Sequence, residues 1–577
     1  MGTQVKETGR AITAERTPTR GNSALMVVLA GVAALAVVAP FFFLGNASGH
    51  DFEFHLASWM EVARQWHEGV FHPRWAALAN WGFGEPRFIF YPPASWMLGA
   101  ALSFVFPWPM VPGAFIWLAL TIAGVAMFAL AKEWLPARDA MAAGVLFAIN
   151  PYHLVIVYWR SDFAELLAGA LLPLAVLFAL RAGKEPRRAF IPLALATAAV
   201  WLSNAPAAVV VTYAMALLLT VVAVRERSLW PLVYGGGALA LGLALAAFYI
   251  MPAAFEQSWV NIAEVVSQGL QFPENFLFTG TADPEHARFN FIVSWVAVET
   301  IIITMAAMAV AGRVRREHPR LWWVLAALAA ASTVLMLPLT TPVWARLPEL
   351  RYVQFPWRWL LVLGVPFAFC LAAAMGRLHN PSKRAAWAVA LAGLAATGLL
   401  LTRDNWWDSG GVADFYEAHF TSGAGYFGTD EYGPRGSDHY DLDQHAPLVG
   451  LRQGENAVPE PSPRVQVHQW GPRRKEFVAH SPEPVTAALR LLNYPAWQVE
   501  VNGKRVRALS NPQTGQMLVA LPAGSSRVQV AFATTPDRLW GEVISGVAAV
   551  MLLAAVMVSR RRAAEAVPST RSHSRGV

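Results

Sequence analysis

The stretch SALMVVLAGVAALAVVAPFFFL, residues 23–44, holds no charged side chain from end to end. About 20 apolar residues are enough for a helix to cross the hydrocarbon core of a bilayer. Apolar runs recur at 321–337, 385–401 and, with Glu542 as its one charged residue, 539–559. Across all 577 residues the chain is 55% hydrophobic and only 14% charged, against roughly 25% charged in soluble domains. That balance excludes a disordered chain and argues against an ordinary soluble enzyme. It predicts a mainly α, polytopic membrane protein. The single cysteine, Cys370, lies in an apolar run, so no intramolecular disulfide can form. A net charge of +7 could suggest nucleic acid, but basic cytoplasmic loops explain it in a membrane protein, and no nucleic-acid partner is expected.

The charges also set a topology. Lys6, Arg10, Arg16 and Arg20 precede the first span, without the compact pattern of a cleaved signal, so 23–44 reads as a retained helix. Later basic clusters sit near 181–188, 225–227, 313–320, 377–384 and 560–562. Placing each in the cytoplasm requires an even number of spans between neighbours. Spans near 139–158, 162–181, 189–204, 206–224, 229–251, 291–312, 321–338, 357–376, 385–401 and 539–559 meet that condition. With 23–44, 112–131 and the doubtful 92–106, the total is about 12–13. Residues 92–106 are short and bounded by prolines, so they read as a re-entrant or half span, tolerated only beside protein or a water-filled cavity. Both termini are then cytoplasmic.

The expected organisation is a tail at 1–22, a membrane domain at 23–401 with external loops 45–91 and 252–290, and an acidic, Gly- and aromatic-rich excursion at 402–463. A small β-sandwich at 464–538, a last helix at 539–559 and a basic tail at 560–577 complete it. The sandwich rests on short alternating runs, and Asn502-Gly503 is a strong two-residue hairpin signal. In the first external loop, Phe54, Trp59, Val62, Trp66 and Val70 recur at helical spacing. They predict an amphipathic helix lying at the membrane surface.

Chemistry concentrates on the external side. Asp51 and Glu53 follow the first span, flanked by His50 and His55; a carboxylate there can act as general base or hold a divalent metal, or can simply open a solvated loop. The stretch NPYHLVIVYWRSDFAE, residues 150–165, puts Arg160, Asp162 and Glu165 between two apolar spans. Ionisable residues at such ends are functional candidates, although Arg160 and Asp162 could be a local pair. Arg87, Tyr91, Glu256, Asn261, and Arg351, Trp357 and Arg358 of LRYVQFPWRW are further candidates. Arginine suits phosphate through its planar fork of donors; the plain alternative for Arg358 is a snorkelling interfacial side chain. The excursion holds GTDEY (428–432) and SDHYDLDQH (437–445); the second could bind a metal but reads better as a solvated acidic loop. No phosphate-binding loop, zinc-protease motif or dinucleotide fingerprint occurs in a suitable context, so no nucleotide cofactor is expected.

A first span followed by an acidic residue in a helical loop, then NP…R..D between later spans, resembles the GT-C superfamily of membrane glycosyltransferases. More narrowly, GHDFEFHLASW, FHPRW, GTDEYGP, FPWRW and the ending NYPAWQVEVNGKRV…LPAGSSRVQVAFATTPDRLWG resemble the bacterial YfhO-like proteins and those labelled 6-pyruvoyl-tetrahydropterin synthase-related. The pterin label is not matched by a soluble pterin-type domain or a zinc-binding set of histidines. The resemblance implies a GT-C-like fold and hexosyl or pentosyl transfer from a polyprenyl-phosphate-linked donor to a cell-envelope glycan, lipid or protein. It implies Asp51 as base or metal carboxylate and Asp162 as its partner, with Glu53 nearby. By their chemistry rather than by a motif, Arg87 and Arg358 are phosphate candidates; with Arg160, Tyr91, His55 and Glu256 they would bind substrate, and a divalent cation (Mg or Mn) on Asp51 and Asp162 is compatible. The rival expectations are a lipid or polysaccharide flippase or transporter, and a non-catalytic scaffold of envelope assembly.

Overall fold

The computed structural model describes residues 20–376, 381–403, 407–408, 410–452 and 464–565. Expectations that rest on Lys6, Arg10, Arg16, Arg377 and the end of the basic tail lie outside the described residues. Within them, eight helices are long and apolar enough to span a membrane, and two bent pairs raise the number to ten. That is fewer than the 12–13 expected: Trp387–Arg403 is a shorter apolar helix, and Pro186–Ser203 carries Arg187 and Arg188 in its first turn. The protein is a polytopic α-helical membrane protein with β-sheets near its C-terminus. Burial sorts the helices: Pro356–Met375 is 94% buried and central, whereas Pro536–Met557 is 11% buried and peripheral. The peripheral helix leaves Trp540, Val547, Val550 and Met551 exposed, as a lipid-facing surface should be.

The expected single span at 229–251 is instead two helices, Trp230–Leu245 and Ala247–Trp259, meeting at 72°. The cause comes from the far end of the chain. Ser545 Oγ accepts from the Phe248 N–H at 2.9 Å and donates to the Ala244 carbonyl at 3.1 Å. A hydroxyl inserted into the i→i−4 ladder is an established source of kinks. The last helix comes close enough for this because of Gly541, where a Cβ would lie 2.7 Å from the Ala247 carbonyl. A second pair, Pro319–Leu335 and Pro338–Arg346, turns through 92°, with Leu337 extended before the proline as that position favours.

The first loop does form a helix, Phe52–His67, but it does not lie on a membrane surface. Phe52, His55, Leu56, Trp59, Met60 and Val62 are buried. Trp59 stacks on Phe115 at 5.2 Å and fills the space left by Gly99, where a Cβ would approach to 2.2 Å. Gly99 belongs to Pro93–Leu102, which has only 10 residues and so extends about 15 Å, half of a hydrocarbon core. This short helix covers one face of Phe52–His67. The expected amphipathic face is thus satisfied by protein rather than by headgroups.

Beyond the helices, two antiparallel sheets pack face to face. One orders its strands 449–452, 485–492, 516–521, 509–510, the other 465–470, 474–481, 524–532, 497–501, 504–506. Leu489, Leu491, Val519, Phe477, Val499 and Val528 from both sheets share one core. Asn502 and Gly503 have φ of 52° and 75° and pair Val501 with Lys504, the positive-φ turn their sequence favours. Two strands depart from the expectation. Val449–Arg452 pairs with Val485–Leu492, so the sandwich takes in part of the excursion. Arg474–Ser481 was hidden because Lys475, 3% exposed, occupies an inward position beneath Trp497, with Nζ 4.5 Å from the ring.

The sandwich is fixed to the helices by a buried ion pair. Arg538 Nε and Nη2 each donate to Glu256 at 2.7 Å, and the Tyr494 hydroxyl donates to the same carboxylate. Removing one partner of such a pair strands the other charge, at about 3–5 kcal/mol. Glu256→Leu is therefore expected to strip hydrogen-exchange protection from Leu539, whose N–H donates to the Thr535 carbonyl at 3.1 Å, and from the rest of that helical turn while the sheets stay protected. Unchanged protection at those residues would show that the pair does not hold the sandwich.

Candidate functional site

Two local devices in 150–165 build the centre of the site. Asn150 accepts from the His153 N–H at 3.1 Å and restarts the helix after a break. The backbone then widens into a π-turn over Ile156–Arg160, a distortion common at functional sites. Ser161, at φ 52°, reverses the chain so that Asp162 caps the next helix, its Oδ1 accepting from the Glu165 N–H at 2.9 Å. Asp162 and Glu165 stand in the spacing of a capping box. This geometry turns Arg160 inward.

Arg160 is the hub. It lies 3.0 Å from Asp51 Oδ2, 3.1 Å from Asp162 Oδ2 and 2.5 Å from Glu165 Oε2. Its guanidinium packs 5.3 Å from the Trp357 ring. Arg358 completes the cluster, with Nε donating to Glu165 at 2.9 Å and Nη2 3.5 Å from Asp162. Its Nη1 donates to the Val353 carbonyl at 2.7 Å. That carbonyl is presented by a tight turn in which Phe355 N–H donates back to Val353 and Gln354 sits at φ 65°, ψ −52°. Such positive-φ γ-turns are rare and strained, and this one is braced by Gln354 Nε2 donating to the Val265 carbonyl at 2.6 Å. Tyr152 donates to the remaining oxygen of Glu165.

These groups open on a cavity of about 700 Å³. Asp51, Tyr91, Arg160, Asp162 and Arg358 line it, together with His50, His286, Glu264, Glu349, Glu431 and Tyr432. Another wall is apolar: Trp201 from the C-terminal end of Pro186–Ser203, Pro206 and Val209 from the N-terminal end of Ala205–Glu226, and Ile250, Ala253 and Ala254 from the segment beyond the 72° bend. Ala254 is exposed on the outside of the bundle beside Met251 and Phe255.

The carboxylates of the cluster differ in what they can do. Both oxygens of Asp162 are engaged, by Glu165 N–H and Asn204 on one side and by the two arginines on the other. Burial alone would raise its pKa, but Arg160, His55 and Arg358 together hold it well below the usual carboxylate range. Asp51 has a side chain 37% exposed and uses only Oδ2, toward Arg160. Among the described residues its Oδ1 has no partner. Burial, followed by Asp162 and Asp51, pushes the Tyr91 phenol upward, so it presents a neutral hydroxyl.

Several expected site residues lie elsewhere. Glu53 is exposed and does not line the cavity, because positions i and i+2 leave a helix on opposing sides. His55 is 1% exposed and sits behind the wall, 3.6 Å from Asp162 and 3.5 Å from the Tyr91 hydroxyl. Arg87 is closed off by Glu85 at 2.6 Å and Ser58 at 3.1 Å. Glu256 is held by Arg538, and Arg351 is exposed, donating to Tyr352. In 437–445, Asp438 and Asp443 cap turns. Among the described residues no group of three or more His, Cys, Asp or Glu side chains is arranged to hold a metal ion. Asp51 and Asp162 already share Arg160, which a dication would have to displace.

Sequence reasoning passed over Glu264 and Glu349, and noted Glu431 and Tyr432 only as part of GTDEY without giving them a role. The GTDEY segment reaches the cavity because Thr429 N–H donates to Glu85 Oε2 at 2.9 Å, a contact between residues 344 positions apart.

The sequence pattern of the family described as "6-pyruvoyl-tetrahydropterin synthase related domain; membrane protein" matches residues 88–403. No curated protein matches the chain. Among solved structures, arabinofuranosyltransferase AftD from Mycobacteria is similar at 18% identity and TM-score 0.43, over 70% of this chain and 29% of that one. The apo oligosaccharyltransferase of Archaeoglobus fulgidus is similar at 13% identity and TM-score 0.42, over 69% of this chain and 57% of that one. ArnT from Cupriavidus metallidurans, bound to undecaprenyl phosphate, is similar at 13% identity and TM-score 0.31, over 62% and 79%. The chain thus spans less than two thirds of the length of the first two.

Proposed function

Because the chain belongs to the membrane-protein family described as related to 6-pyruvoyl-tetrahydropterin synthase, we propose that its cavity is the active site of a GT-C-type glycosyltransferase. The donor is a sugar on a polyprenyl phosphate and the acceptor is a cell-envelope glycan, lipid or protein. The observation that carries this reading is the pairing of Asp51 and Asp162 through one arginine on a cavity with an apolar wall. Asp51 Oδ1 takes the proton from the acceptor hydroxyl as it attacks the anomeric carbon and the C–O bond to phosphate breaks. Asp162 keeps Arg160 in place, and Arg358 contributes positive charge near the departing phosphate. The polyprenyl chain lies along Val209, Ile250 and Ala253 and leaves toward lipid past Met251 and Phe255. A chain crossing the inner membrane with basic ends in the cytoplasm puts the cavity and the sandwich on the extracytoplasmic face. The polar groups stand at helix ends, whereas a transport path would place them near the bilayer midplane. The test is mass spectrometry of envelope glycans from cells lacking the protein. One sugar should disappear and return on complementation; an unchanged glycan profile would refute the reading.

A further inference from the structure

The segment Gly428–Tyr432 runs along the cavity wall as a strap pinned at both ends. On one side Thr429 is bonded to Glu85, and Gly428 fits where a Cβ would lie 2.2 Å from Asn80 Oδ1. On the other, Asn261 N–H donates to the Gly433 carbonyl at 3.0 Å and its side chain accepts from Gly436 N–H at 2.7 Å. The strap thereby fixes Glu431 on the cavity wall.

Glu431 is unlike the other carboxylates there. Among the described residues no arginine, lysine or histidine pairs with it, and its side chain makes no hydrogen bond to another side chain. Behind it stand Glu85 and Arg87, the latter already bonded to Glu85. Asp430, itself 3.3 Å from His439, and Tyr432 flank it on the strap. Tyr249 and Glu264 line the same cavity from the neighbouring elements. The two arginines of the cavity are engaged by Asp51, Asp162 and Glu165. An anionic headgroup entering this space therefore meets few free donors and one more carboxyl.

We infer that Glu431 binds the donor's phosphate in its protonated form, donating a hydrogen bond to a phosphate oxygen from the strap. This rests on the reading of the cavity as a polyprenyl-phosphate site. Burial, with Glu85 and Asp430 adding to it against Arg87, pushes Glu431 up to about 7. A phosphate beside it raises that value further, since like charge favours the neutral acid. A carboxylic acid kept neutral in this way is a good donor to a developing oxyanion. As the sugar leaves, charge grows on the phosphate oxygen and the bond strengthens.

The sign follows from proton linkage. Binding that requires the acid form weakens as pH rises above 7, by about tenfold per unit. The probe is undecaprenyl methyl phosphate, a phosphodiester whose own charge is constant through this range, titrated into the full chain in lipid nanodiscs at pH 6 and pH 8. The wild type should bind about tenfold more weakly at pH 8 than at pH 6. Glu431→Gln, a permanent neutral donor, should bind equally at both, and Glu431→Ala should bind weakly at both. Equal wild-type affinity at the two pH values, or the wild-type pH dependence persisting in Glu431→Gln, overturns the role of Glu431 while leaving the lipid-phosphate site standing. No wild-type binding at either pH overturns the donor reading and this inference with it.

Discussion

Arg160→Leu is expected to lower stability by about 3–5 kcal/mol, the usual result of removing one side of a buried ionic cluster. Arg160 is 4% exposed and is the shared partner of Asp51, Asp162 and Glu165. Leucine restores some packing against Phe355 and Trp357 but leaves three acidic groups facing one another with Arg358 alone. The pH response should also invert. In the wild type, Asp162 is held below its unfolded-state pKa, so its contribution is present above that value and is lost as pH falls through the folded one. In the variant, protonating a stranded carboxylate relieves repulsion, so stability should improve toward acid. Thermal unfolding in detergent at pH 8 reads the loss of stability; the variant's recovery between pH 8 and pH 5, a range over which wild-type Asp162 stays ionised, reads the second effect. A melting temperature equal to wild type at pH 8 would mean that the cluster is not held by Arg160.

Asp51→Asn should leave the fold intact and slow sugar transfer by about 10²–10⁴-fold, the usual contribution of a general base. The stability effect is small because the side chain is 37% exposed and an amide oxygen can still accept from Arg160. The rate effect is large because Asp51 is the carboxylate of the cluster with an oxygen left over for substrate. Asp162→Asn is a useful contrast: both of its oxygens are engaged, so the change should disturb folding and rate together. Transfer at the wild-type rate by Asp51→Asn, with protein shown to be folded, would remove Asp51 from the chemistry.

Much of this site can be read from ionisable residues at the ends of apolar runs. Asp51, Arg160, Asp162, Arg358 and Tyr91 all meet at one cavity, because burying a charge near a span is costly without partners and partners must converge. The Asn502-Gly503 hairpin is equally legible, since two consecutive positive-φ residues leave few alternatives. What sequence could not show depends on contacts between distant segments. The strap reaches Glu85 across 344 positions, and Glu256 meets Arg538 across 282. Neither pairing leaves a periodic trace. The bend after Leu245 needs Ser545 from the last helix, so no local pattern foretells it. Arg87 looked like a phosphate ligand on chemistry alone; Glu85, two residues before it, takes that charge instead. Lys475 hid a strand by placing an ionisable side chain at an inward position.

The most direct test of the cavity as a glycosyl-transfer site uses the purified full chain in nanodiscs with polyprenyl-phosphate sugars extracted from its own membranes and an envelope acceptor fraction. Mass spectrometry follows donor, free polyprenyl phosphate and acceptor over time. The expected result is that one donor species falls as polyprenyl phosphate and a glycosylated acceptor rise in equal amounts, and that Asp51→Asn abolishes the change. A donor pool left untouched by the wild type, or consumed equally fast by Asp51→Asn, would contradict it.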